Sequence, residues 1–210
     1  MSLAKYNVGD LIVDPTTLNV LMILESPHIN EYVHQHPAAG ASALELTQFL
    51  IRQGYLRDFN PNLPIGCNIK DINYQALGIL NCSHLPMNPT FYPCSLSDDD
   101  QSQIDHLVAI KQSLAQISAN LSNQSPLELS DNIIFKDFAQ RLTHVLMQAH
   151  PDLIIVPCGA TASGFMTAFA ANYPHPLNLL KGLPHPTESD WQDKIPMLDL
   201  TDRIPRSLLP

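Results

Sequence analysis

Basic residues are scarce. Eleven Lys and Arg stand against 20 Asp and Glu, a formal net charge of −9. Affinity for nucleic acid rests largely on neutralising phosphates, so this balance excludes a strong, sequence-independent DNA binder and leaves room only for a local patch. Cysteine is scarce as well. Cys67, Cys82, Cys94 and Cys158 form no Cys-x-x-Cys pair, which argues against a disulfide framework and against zinc or iron–sulfur ligation by closely spaced thiols. A reduced, cytoplasmic setting is expected, with no metal and no cofactor. No run of 18 apolar residues occurs, so no membrane span is expected. Met1–Asp10 lacks the basic start and apolar stretch of a secretory signal. Internal repeats and low-complexity tracts are absent too.

What is present is enough apolar residue, 45% of 210, to bury a core, and a length that suits one domain. Eighteen prolines imply long ordered loops. Four short apolar runs read as buried strands: residues 19–24, 76–80, 152–157 and 177–180. Between them lie segments with apolar residues at helical spacing. The first starts near Ala41 and ends near Gly54. A long one covers about 100–121, with Ile104, Leu107 and Val108 on its stripe. Another follows an N-cap at Asp131, and the last runs from Gly159 to about Tyr173. Residues 28–40 and 57–75 read as loop. Strands alternating with helices imply a parallel sheet covered on both faces.

In such sheets ligands bind outside the carboxyl ends of the strands. Three polar segments stand there: Glu25-Ser26-Pro27-His28, Asn81-Cys82-Ser83-His84 and Pro184-His185-Pro186-Thr187. Their order resembles the uracil-DNA glycosylase superfamily. Leu24-Glu25-Ser26-Pro27-His28 is similar to that family's Gly-Glu-x-Pro-Gly segment, and Pro37-Ala38-Ala39-Gly40 to its Pro-Phe-x-Gly element. Asn81 stands for the Asn that closes the next strand, and His185-Pro186-Thr187 for the His-Pro-Ser/Thr element. Ile154–Ala162 resembles its strand-Gly-x-x-Ala-helix step. The resemblance spans about residues 18–191 of a single domain, 1–210.

The resemblance implies a three-layer α/β/α sandwich around a four-stranded parallel sheet, and hydrolysis of the N-glycosidic bond of a damaged or deaminated base flipped out of DNA. It implies a DNA repair role in base excision, with DNA as partner to a monomer. Glu25 and His185 become the catalytic pair. Glu25 would activate or orient water, and the apolar run before it would desolvate it and raise its pKa. His185, stiffened by two prolines, would stabilise the leaving base anion. Asn81, with donor and acceptor side by side, would read the base edge; Ser26, Pro27, His28, Ala38 and Gly40 complete the base pocket. Ser42, Thr187 and Ser189 would meet phosphate. Because Ala38 stands where the family has Phe, a pocket more open than one fitted to uracil is expected.

Each residue also has an ordinary reading. Glu25 can bond a loop backbone, Asn81 can form a turn, and His185 can cap one. Gly40-Ala41-Ser42 can be a plain helix start. His28, His34 and His36 share one segment and suit solvent, phosphate or metal. Two further classes therefore stay open: a non-catalytic nucleotide- or nucleic-acid-binding module, and a hydrolase of free nucleosides or nucleotides. A basic strip around the strand-end loops would favour DNA; its absence would favour the others.

Overall fold

The computed structural model describes residues 3–92, 97–119 and 132–186. Strands β1 (Val20–Leu24), β2 (Leu77–Asn81), β3 (Ile154–Pro157) and β4 (Asn178–Leu179) form one sheet in the order β2-β1-β3-β4. Every pairing is parallel, with Val20 opposite both Leu77 and Ile154. β1 therefore lies between two neighbours, and all five of its residues are buried. That is why its sequence is a continuous apolar run rather than an alternating one.

Among the described residues six α-helices connect the strands: α1 (Ile29–His34), α2 (Ala41–Arg52), α3 (Ile65–Asp71), α4 (Asp98–Ala119), α5 (Ile133–Leu146) and α6 (Gly159–Asn172). Successive strand side chains point to opposite faces, and each face has its own core. Leu21, Ile23 and Ile155 pack with α4, α5 and α6 around Phe138 and Phe165. Val20, Met22, Ile154 and Val156 pack with α2 and α3 around Phe49, Ile65 and Ile69. The result is the expected three-layer α/β/α sandwich. Among the described residues no helix is long and apolar enough to cross a membrane.

Two segments read as loop are partly helical. Residues 28–40 contain α1, and residues 57–75 contain α3. Both helices are short, six and seven residues, too brief for an apolar stripe to show in sequence. α3 instead sits by its own contacts: the Asn68 side-chain amide donates to the carbonyls of Asn60 and Leu63, at 3.1 and 2.9 Å. α5 is capped by Asn132, whose side chain accepts from the N–H groups of Ile134 and Phe135; the expected cap, Asp131, lies outside the described residues. So does Cys94.

The two edge strands, β2 and β4, differ in length. β4 has two residues. Along β2, Leu11 makes an isolated antiparallel bridge to Ile79, exchanging both backbone hydrogen bonds at 2.8 and 2.9 Å.

Phe138 is fully buried and touches the rings of Phe135, Phe165 and Phe169. Phe138→Ala should cost about 3–5 kcal/mol of folding stability. Ile133→Ala, at a side chain 79% exposed, should stay within about 0.5 kcal/mol. Urea unfolding of both variants checks the contrast.

Candidate active site

β1 and β3 are neighbours in space, but the chain leaves them in opposite directions: β1 is followed by β2 on one side, and β3 leads to β4 on the other. Such a switch point opens a crevice at the strands' carboxyl ends. A cleft of about 630 Å³ lies there. Its walls come from the end of β1, the starts of α2 and α6, the segment after β4, and parts of α1 and α4. A larger, more open depression of about 740 Å³ runs along the outer face of α5 and includes none of these strand ends.

Glu25, Ser26, His28, Ala38, Gly40, Ser42 and His185 all line the cleft. Seven of the eleven residues singled out from sequence therefore meet in one cleft. Pro27 is buried and is not in the lining. Asn81 is not in the lining either. It is 1% exposed, and its backbone is tied from below: its N–H donates to Asp10 Oδ1 at 3.2 Å, and Arg141 Nη1 donates to its carbonyl at 3.0 Å. Thr187 and Ser189 lie outside the described residues.

Two carboxylates face the cleft in different environments. Glu25 has charge partners. Lys111 Nζ on α4 stands 2.6 Å from Oε1, and the Thr161 hydroxyl on α6 donates to Oε2 at 2.7 Å. Neither partner is adjacent in sequence, so the pairing forms only once the sandwich has closed. The desolvated carboxylate is a different one, Glu31. It is third in α1, reaches back to accept from the His28 N–H at 3.3 Å, and accepts from the Ala38 N–H at 2.8 Å. The first bond is half of a capping box. The Asn81 amide also approaches Glu31, yet neither amide atom completes a hydrogen bond. Burial wins over these donors and raises the Glu31 pKa from 4.5 to about 7.

The backbone around this carboxylate is unusual. Ala38 has φ 54, a left-handed conformation that non-glycine residues rarely adopt. It is held from both ends, by Glu31 at its N–H and by the Gly66 N–H, which donates to its carbonyl at 3.0 Å. Gly66 has no room for a side chain: a Cβ there would stand 2.0 Å from the Pro37 carbonyl oxygen.

His185 is positioned by Gly159. The N–H of Gly159 donates to the Leu183 carbonyl at 2.9 Å. A Cβ at Gly159 would meet the His185 Cβ at 3.0 Å, and the residue has φ 85. Gly159 also opens α6, whose N-cap, Cys158, makes no side-chain cap bond. Gly40, the N-cap of α2, makes none. Two helix N-termini therefore present backbone N–H groups to one cleft, an arrangement that favours negative charge.

The cleft is not as open as Ala38 suggests. Phe91, from the proline-rich loop after β2, lines it and packs edge-on to His28 at 4.3 Å between ring centroids. A ring arriving from another loop leaves no signal at position 38 itself. Tyr92, next in the chain, serves as an anchor instead: its hydroxyl donates to the Pro86 carbonyl at 2.7 Å. Sequence reasoning missed Glu31 and Lys111. Only Glu31 carried a signal, three residues after His28 in the spacing of a capping box.

Compared with protein-family models and with curated protein sequences, the chain matches none.

Glu31 makes stability depend on pH. A folded pKa raised from 4.5 to about 7 means that the folded chain binds this proton more tightly than the unfolded one. The associated stability is complete below about pH 4.5, and it is lost as pH rises through about 7. The loss is on the order of 3 kcal/mol. Glu31→Gln should flatten the pH dependence of the urea midpoint across that window. Gly159→Ala should cost about 1–2 kcal/mol from its left-handed backbone and should shift the His185 imidazole resonances in an NMR spectrum.

Proposed function

We propose that the chain is a hydrolase of N-glycosidic bonds that takes a nucleobase into this cleft, the uracil-DNA glycosylase-like activity that the resemblance implies. The observation that carries the reading is the meeting, at the switch point, of an ion-paired carboxylate, a carboxyl that titrates near neutrality, and an imidazole on a proline-stiffened loop.

Breaking a nucleoside bond leaves an oxocarbenium-like sugar and a base anion. Glu25, ion-paired with Lys111 and accepting from the Thr161 hydroxyl, suits the cation. Glu31, with a pKa of about 7, suits proton abstraction from water, since a base works best when its pKa lies near the working pH. Two carboxyl groups with separated environments divide the labour. His185 and the two helix N-termini suit the leaving anion or a flanking phosphate. Phe91 and His28 offer ring surface to a planar base. Asn81, beneath Glu31, no longer has the role of reading the base.

A second reading is favoured by charge. Lys111 is the only Lys or Arg lining the cleft among the described residues, and Glu25 already engages it. A substrate without a long phosphate backbone, a free nucleoside or nucleotide, fits that surface with less electrostatic cost.

The test is base release from oligonucleotides carrying uracil, hypoxanthine, xanthine or mismatched thymine, in single- and double-stranded form, beside the free nucleosides and nucleotides. Glu25→Gln and Glu31→Gln should each lower turnover by about 10²–10⁴-fold, and His185→Ala by about 10²–10³-fold, with the fold retained by circular dichroism. Release from oligonucleotides alone supports the first reading, and release from free nucleosides alone supports the second. No release from any substrate would remove both and leave a binding module.

A further inference from the structure

We propose that His34, His36 and Cys67 form a binding site for a transition-metal ion of the zinc type, with an open fourth position. The three side chains offer ligand atoms that all lie within 4.8 Å of one another. They come from separate elements. His34 ends α1, His36 follows it, and Cys67 lies in the first turn of α3. The proposal does not depend on the hydrolase reading, because none of the three lines the cleft.

The local backbone brings the histidines together. Gln35 caps α1 in the left-handed conformation, φ 58, and this reversal leaves the two imidazoles with ring centroids 5.9 Å apart. A strained residue kept between two metal-ligand types is a cost with a use. The orientation of His36 is also set. Its ring is buried, and Nδ1 lies 3.0 Å from the Pro37 carbonyl oxygen. A carbonyl only accepts, so Nδ1 carries the hydrogen and Nε2 keeps its lone pair. Metal-bound histidines commonly have this backbone partner.

That Nε2 stands 3.7 Å from Cys67 Sγ. On a tetrahedral zinc, with bonds of about 2.0–2.1 Å to nitrogen and 2.3 Å to sulfur, the two atoms sit roughly 3.5 Å apart. His36 and Cys67 are thus spaced for one ion with little movement, and exposed His34 has the rotamer freedom to close the third bond. Two imidazoles and a thiolate select zinc, cobalt or nickel over magnesium or calcium, which prefer oxygen. Cys67 gives up its thiol proton to solvent on ligation. The ion would join α1 to α3 behind the Pro37–Ala38 segment, where Gly66 already meets the Ala38 carbonyl.

The experiment uses the full chain, stripped with chelator and titrated with Zn²⁺ alone and with Co²⁺ alone. One equivalent should bind. The cobalt form should show a thiolate-to-metal charge-transfer band, and zinc should raise the melting temperature. Cys67→Ser should abolish that band. His34→Asn, at an exposed position and so without a folding cost, should weaken zinc binding by about tenfold or more. The absence of saturable binding, a cobalt spectrum without thiolate character, or full binding in the His34→Asn and Cys67→Ser variants would each overturn the proposal.

Discussion

The structure depends on the burial of β1. Held between β2 and β3 and covered on both faces, this strand leaves no position where a polar side chain escapes an apolar surround. Polar chemistry is displaced to the strand's carboxyl end, where the chain turns outward. Glu25 is the first residue past that end, and the starts of α2 and α6 gather around it. The cleft is a consequence of strand order rather than of any one loop.

Within the cleft the same functional group occurs in two states. Glu25 is reached by an ammonium and a hydroxyl from the α4 and α6 side of the sheet. Glu31 accepts from two backbone N–H groups and is approached by the buried Asn81 amide. An ammonium pairs with the first, and loss of water raises the pKa of the second to about 7. The difference arises from tertiary packing, since both residues lie within one stretch of seven.

That origin explains how much was legible in sequence. The strands were, because burial on two faces writes itself as an unbroken apolar run, as in Val20–Leu24. The long helices were too, since their stripes repeat over several turns. α1 and α3 were not, because six or seven residues do not hold a period. For the site, Glu25 and His185 were legible from position alone, just past strand ends. Asn81 has the same position yet turns out buried and tied by Arg141, 60 residues away. Lys111 reaches the cleft from a helix whose local sequence carries no mark of it. The residues that sequence placed well owe their location to the strand they follow; those it missed owe theirs to how distant segments pack.

The treatment of the sheet's flanks has a bearing on how the chain behaves at high concentration. An unpaired strand edge is a template on which other chains can add ladder bonds. On one flank, residue 11 occupies the backbone groups of Ile79; on the other, the final strand stops after two residues. Among the described residues neither side offers the long, flat array of free amides and carbonyls from which fibrous aggregation grows, so the parallel core carries its own protection against intermolecular β-pairing.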